Sequence, residues 1–512
     1  MLISQFIVSV SYLPVLLLVS ITSALFVRVF YNLYLHPLSK FHGPWYAATT
    51  SLVCAFISVA KREDEWLQSL VRKYGTNQPI RITPNLLLFP RPTALRDIYR
   101  DAKMNTKSSF YDSGSLGPTS MFSTLDGAEH KEMRKTLSGA KVPWAIGVLK
   151  KEWESKIDAH IELFASKMQE LVTTQETFCL SDRAAEFAAD IMALVTFSTP
   201  WGFVQNSRDQ YGILTSWRHG LTWFGFSNRW RFLRENIVHH WLLGPYTQPS
   251  VDDGGGMGHL MRLADEQLRA REKVIEDFGE KEGQMDFLQH AIEAKHHNEP
   301  LTYTQKHAHA TFLIMAGADT TATALGATLR FLAVNPHVLS KAVDEISSAE
   351  KSGLLSTPIQ YEESSQHLPY IGACIKESMR LHPPAPNIYE RTVPKGGYTI
   401  DGTFVPGECD VACVSYITHR DPEMYAPDPE VYRPERWLVS KEVSNQFDSV
   451  AFAFGMGYRV CLGKDVATLE LWKLIPEFVR RFEMELVEEG SYIVDGGVAY
   501  NHGFLVKLRA RQ

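Results

Sequence analysis

Hydrophobic positions along the chain follow three regimes. The first 27 residues, "MLISQFIVSVSYLPVLLLVSITSALFV", contain no charged side chain. A helix crosses a bilayer with about 20 apolar residues, so this run is long enough to span with some tilt, and Tyr12 and Pro14 are tolerable inside it. A cleaved signal peptide wants a positive start and a shorter apolar core; here the start has no Lys or Arg and the run is too long. An uncleaved transmembrane anchor over 1–27 is the expectation. Arg28, Lys40, Lys61 and Arg62 follow it, which predicts that everything downstream faces the cytosol. No N-x-S/T sequon occurs, in agreement with that side.

The second regime is helical. After "YNLYLHPLSKFHGPWY", where Pro37, Gly43 and Pro44 interrupt any helix and predict a stiff linker over 28–63, apolar residues recur with a 3.6 period from about Asp64 to Pro300. "KKEWESKIDAHIELFASKMQEL", from Lys150, is an example. Two stretches depart from it: "PIRITPNLLLFP" (79–90) reads as a short hairpin, and "QPSVDDGGGMG" (248–258) as a flexible insertion. A long apolar helix opens at Thr302, a suitable N-cap, and stops at Asn335-Pro336. About 30 residues make about 45 Å, enough to cross a domain, and its apolar middle predicts burial. The third regime is extended: "YTIDGTFVPGECDVACV" places Asp401-Gly402 between β-type residues, a two-residue hairpin signal. Many helices with a few small sheets predict a mainly α (α+β) body.

Composition narrows the function. The 512 residues are enough for a large core, and a net charge of −6 gives no basic excess for nucleic acid. Six scattered cysteines argue against a disulfide framework and for a reducing compartment. Cys409 and Cys413, with no second Cys/His pair, read as packed thiols rather than metal ligands.

One cysteine stands apart. In "FGMGYRVCLG" (454–463), Cys461 lies among glycines just before the predicted helix "LGKDVATLELWKLIPEFVRRF". Backbone N–H groups and the dipole at a helix N-terminus favour a thiolate, the metal-binding form. Glycines permit close approach of something flat, and Arg459 offers a planar fork for a carboxylate. A structural cysteine in a glycine turn is the plain alternative. A dinucleotide loop is another, but it wants Gly or Ala at 460, where Val460 stands, and a βαβ unit. Glu377 and Arg380 share a helix face at i, i+3, alone no more than a solvated pair. Gly317, Asp319, Thr320 and Thr321 interrupt the apolar helix; buried polar groups are costly unless satisfied, which suggests a local opening of the helix beside a ligand or a back-bonding kink.

Together these segments resemble the cytochrome P450 monooxygenases. The haem-loop pattern F-x-x-G-x-R-x-C-x-G is matched by Phe454, Gly457, Arg459, Cys461 and Gly463. E-x-x-R (Glu377, Arg380) precedes "YRPERW", which resembles the meander that supplies Arg436 to a buried triad. Ala316–Thr321 resembles the oxygen-binding groove, and "EHKEMRKTLSGA" the helix that crosses the haem propionates, with His130 in place of the usual Trp and Arg134 retained. Arg391 occupies a further propionate position. The linker "HPLSKFHGPW" is similar to that of membrane-bound filamentous-fungal members, with His42 in place of a proline.

The resemblance implies a haem-thiolate catalytic domain over 64–512, holding haem b (iron protoporphyrin IX) on Cys461, the metal ligand. It implies insertion of one atom of O2 into an apolar small molecule, a fungal secondary metabolite, with Thr320, Asp319 and Gly317 forming the proton path. Phe454, Gly457, Gly463, Arg459, Arg134, His130 and Arg391 would hold the cofactor; Glu377, Arg380 and Arg436 would be the structural triad. Electrons would come from NADPH through a partner reductase docking near Lys131, Lys135, Lys141 and Lys464, at the endoplasmic reticulum membrane. The pocket would be lined from 108–122, 217–230, 312–316, 385–388 and 499–504. Other chemistries on the same fold, desaturation, ring formation or rearrangement, remain open, and a non-catalytic membrane-anchored scaffold is the reading of another class.

Overall fold

Thr302 caps the long helix with a reciprocal box: its Oγ1 accepts from the Gln305 N–H, while the Gln305 side chain accepts from the Thr302 N–H. In the computed structural model, which describes residues 2–511 apart from 113–116, 139–141, 143, 239 and 280–285, and of residues 2–14 and 245 only the backbone, this central helix runs Tyr303–Val334. It ends at Asn335, and Pro336 starts the next helix, Pro336–Lys351. Its middle is buried. The helix Leu180–Phe197 packs along it. Small residues, Ala185, Ala188 and Ala189 on one side and Ala310, Ala318 and Ala322 on the other, share one core cluster and let the two backbones come close.

The hairpin expected over 79–90 is Ile80–Thr83 paired antiparallel with Leu86–Leu88. It grows into a four-stranded sheet by parallel pairing of Leu86–Leu88 with Asp410–Ala412, which in turn pairs antiparallel with Arg391–Thr392. The Asp401-Gly402 turn has both residues at positive φ between Tyr398–Ile400 and Thr403–Val405, the backbone such a two-residue hairpin demands. Phe482–Glu488, Leu505–Ala510 and Phe178–Cys179 form a second sheet. Cys409 and Cys413 are buried free thiols flanking a strand.

The N-terminal helix extends Leu2–Phe30, three residues past the expected end of the anchor, and its side chains from Val15 onward are exposed. The linker is not merely extended. A π-helical turn (Tyr31–Leu35) and helices Trp45–Thr49 and Leu52–Val59 fill it. Arg81 fastens it to the first sheet by donating to the Asn32 carbonyl, and its N–H donates to that of His42. Gly43 is required there, because a Cβ would stand 2.1 Å from the Arg81 carbonyl oxygen.

Candidate active site

Cys461 lies in the loop before the helix Lys464–Arg481, whose N-cap is Gly463. Its N–H donates to the Phe454 carbonyl at 2.8 Å, folding the loop back on itself. Gly457 has φ +66, and a Cβ there would stand 2.0 Å from the Tyr99 oxygen, so no other residue fits. At Gly463 a Cβ would meet no neighbouring atom. The thiol is exposed, yet only toward an internal cavity of about 300 Å³ that the loop helps to line. The helix terminus does less for the thiolate than the sequence suggested. Burial pushes the Cys461 thiol up and outweighs the Gly463 N–H and the charges of Arg134 and Lys464, which pull it down.

Around the cavity stand Lys107, Arg134, Arg391 and Arg459, with His130, and no Asp or Glu is among its lining residues. Burial first, and mutual repulsion second, hold Arg459 at about 9, His130 at about 3 and Lys107 well below the ordinary lysine value. Arg134 donates to the Val460 carbonyl at 2.6 Å, and His130 Nδ1 is buried with no hydrogen-bond partner among the described residues. Arg459 is more committed than expected. It donates to the carbonyls of Asn105, Thr124, Leu125 and Asp126, stapling that segment to the cysteine loop. Among the described residues no carboxylate lines the cavity beside this cluster, which suits a dianionic group.

The central helix borders the cavity with Ala316, Gly317, Thr320 and Thr321. It stays α-helical through them: Thr320 Oγ1 donates back to the Ala316 carbonyl at 2.6 Å and Thr323 Oγ1 to that of Asp319, so no opening is needed to satisfy the hydroxyls. A Cβ on Gly317 would stand 2.2 Å from Met192 Sδ. Asp319 is fully buried and does not line the cavity. Its Oδ1 accepts from Arg218 at 2.8 Å, while Oδ2 has no partner among the described residues.

Behind the cysteine loop, Glu377 accepts from Arg380 (2.8 and 2.9 Å), Arg436 (2.9 Å), Trp437 Nε1 (2.9 Å) and the Arg433 N–H (3.0 Å), all but the last from buried side chains. The structure thus brings together Glu377, Arg380 and Arg436. Apolar residues close the cavity: Phe122 stacks on Phe312 at 4.7 Å, with Trp217, Leu221, Phe224 and Met315 nearby. The lining comes from four of the five expected segments; in place of 499–504 it takes Gly497 and Val498 at a hairpin turn.

A model of the cytochrome P450 family matches residues 91–494. The chain belongs to the cytochrome P450 family. Among known proteins it is similar to cytochrome P450 monooxygenase cicH of Emericella nidulans, 29% identical over 95% of this chain and 99% of that one. It is also similar to cytochrome P450 monooxygenase mfmA of Annulohypoxylon moriforme, 28% identical over 92% of each chain, and to pisatin demethylase of Fusarium vanettenii, 28% identical over 89% of this chain and 87% of that one.

This P450 is therefore a haem-dependent monooxygenase, an oxidoreductase that receives electrons from a redox partner. Its own chemistry fits haem: an open thiol, a cationic cradle with an unpartnered imidazole, and apolar walls meet in one cavity. Sequence reasoning missed three residues there. Lys107 reaches the cradle because its backbone bridges to Arg391, and its Nζ sits 3.8 and 3.9 Å from the ring centroids of Tyr111 and Phe122. His309 accepts from the Met121 N–H at 3.0 Å. Arg218, outside the cavity lining, pairs with Asp319 from the helix Ile213–Arg229. Nothing in the sequence sets it apart from Arg229 on the same helix.

Proposed function

We propose that Cys461 is the axial ligand of the haem iron, that His130, Arg134, Arg391 and Arg459 surround the propionates, and that Phe454, Gly457 and Gly463 shape the loop against the ring. The observation that carries this is the single cavity onto which Cys461, the cationic cradle and Thr320 all open. When bound, a thiolate-ligated haem supplies the electron-rich iron needed for O–O cleavage and transfer of one oxygen atom to substrate. The rest falls to the chain. Thr320 Oγ1 donates its own proton to the Ala316 carbonyl, which leaves its lone pairs to accept a hydrogen bond at the cavity edge. Asp319, one residue away and held by Arg218, feeds protons toward that hydroxyl, and Gly317 lines the cavity one turn earlier. Glu377, Arg380 and Arg436 fix the wall behind the cysteine loop.

The substrate is an apolar small molecule, in keeping with the Phe122, Phe312, Leu221 and Met315 walls. The fungal cytochrome P450 monooxygenases among the relatives, such as cicH and mfmA, support a fungal secondary metabolite. Residues 1–27 serve as a single-pass anchor in the endoplasmic reticulum membrane, 28–63 as the linker and entry to the body, and 64–512 as the catalytic domain on the cytosolic side. The exposed apolar span Val15–Leu35 and the basic residues after it support this. An NADPH–cytochrome reductase docks near Lys131, Lys135 and Lys464, which are exposed on the segments that carry Arg134 and follow Cys461; Lys141 lies outside the described residues.

Carbon monoxide added to reduced membranes carrying the protein gives a red-shifted Soret band that Cys461→Ser abolishes. A folded wild-type protein without that band refutes the ligand assignment. Thr320→Ala keeps the band but lowers product per electron consumed; unchanged coupling removes Thr320 from the proton path.

A further inference from the structure

One cluster of ligating side chains has no part in the roles above. Glu129 sits in the helix Gly127–Leu137, and His296 and His297 come from the hairpin Lys295–His296/Glu299–Pro300, just before the central helix. Glu129 Oε1 lies 2.7 Å from His296 Nε2 and its Oε2 3.2 Å from His297 Nε2. One ligand atom from each of the three residues falls within a 4.8 Å set.

The hairpin brings the two rings together. His297 and Asn298 both take positive φ, the backbone its two-residue turn demands. The two imidazole rings lie 4.2 Å apart. His296 is buried, and its Nδ1 has no partner among the described residues, so Glu129 is its polar anchor. Thr136 Oγ1 ties the hairpin to the same helix through the Lys295 carbonyl at 3.1 Å.

We propose that Glu129, His296 and His297 bind one zinc-class divalent ion. Two imidazole nitrogens and one carboxylate favour a borderline transition-metal ion over magnesium or calcium, which prefer all-oxygen sites. Zinc holds N and O ligands at about 2.0–2.2 Å, so its ligands stand about 3.4 Å apart in a tetrahedron; the two Glu129 contacts, at 2.7 and 3.2 Å, open by less than about 1 Å to reach it, and the three ligand atoms already lie within 4.8 Å of one another. His297 is mostly exposed, which gives an entry path and leaves the fourth position to water. Binding replaces the imidazole–carboxylate hydrogen bonds: each Nε2 turns from donor to ligand, and the ring proton then sits on Nδ1. The ion clamps the hairpin to the helix that carries His130 and Arg134, and so stiffens one wall of the cradle from outside.

Full-length holoenzyme, stripped with a chelator and dialysed against Zn2+, is expected to retain one zinc per chain by elemental analysis. His297→Ala, a change to an exposed side chain, and Glu129→Gln each weaken retention about tenfold or more, whereas His219→Ala, an exposed histidine elsewhere, leaves it unchanged. Zinc also slows amide hydrogen exchange over 295–300 and 127–137 in the wild type and not in His297→Ala. Zinc retained equally by wild type and His297→Ala, or no stoichiometric zinc in the wild type, overturns the proposal.

Discussion

Glu377 accepts hydrogen bonds from four residues without reaching solvent. Burial alone would raise its carboxyl, but Arg380 and Arg436 outweigh that and hold it below the ordinary glutamate value. The sign follows: the folded state binds this proton less readily than the unfolded chain. The stabilisation is therefore complete above the ordinary glutamate range and is lost as pH falls through the depressed value. Glu377→Gln leaves two buried guanidinium groups without their counter-ion, at a cost of about 3–5 kcal/mol. Thermal unfolding of the holoenzyme is expected to show a large drop in midpoint at neutral pH, and the gap to wild type narrows in acid. Arg218 poses the opposite problem, since Asp319 is buried and, among the described residues, its only cation is that guanidinium. Arg218→Met should lower product formation about tenfold or more while leaving the carbon-monoxide band intact; unimpaired turnover would detach Asp319 from proton supply.

At the scale of elements, Gly317 and Met192 mark where the central helix and Leu180–Phe197 come closest to filling each other's space. A methyl at Gly317 would overlap Met192 Sδ and Cγ. Overpacking of this kind costs about 1–3 kcal/mol, so Gly317→Ala is expected to lower stability, and Met192→Ala in the same chain to restore part of it, read as coupling in a double-mutant cycle. No sequence pattern announces this pair, because the residues are 125 positions apart. The elements themselves were legible: the Thr302 cap, the stop at Asn335-Pro336 and the two hairpins follow from local rules of capping, proline and turn geometry. The motif residues were legible too, through resemblance. What local rules miss is pairing across the chain. Lys107 joins the cradle only through a bridge to Arg391, and Arg218 meets Asp319 only because two helices cross. The cysteine loop shows the same limit: its helix terminus was visible in the sequence, but the burial that raises the thiol was not.

The whole molecule carries apolar surface beyond its first helix. Phe56 contacts Phe226, which contacts both Trp223 and Trp230, and Trp230 contacts Phe232; Phe56, Trp223 and Phe232 remain exposed. The Arg231 N–H donates to Ser51 Oγ, fixing this aromatic ridge against the linker helix Leu52–Val59. Trp45, in the linker, is exposed as well. An apolar ridge packed on the linker is poorly solvated in water and suited to a headgroup layer, where aromatic side chains are favoured. Two attachments then act at once, and the second is effectively intramolecular. Removing residues 2–30 should therefore not yield a chain indifferent to lipid. It is expected to change stable anchoring into reversible binding, measured by co-sedimentation with phosphatidylcholine vesicles, and Trp223→Ser with Phe232→Ser in the shortened chain should cut that binding about tenfold. Those two exposed side chains account for about 2–4 kcal/mol of apolar burial if they enter the layer, enough for such a loss. If the shortened chain stays in the supernatant before the two substitutions are made, the ridge faces water and the first helix alone holds the protein to the membrane.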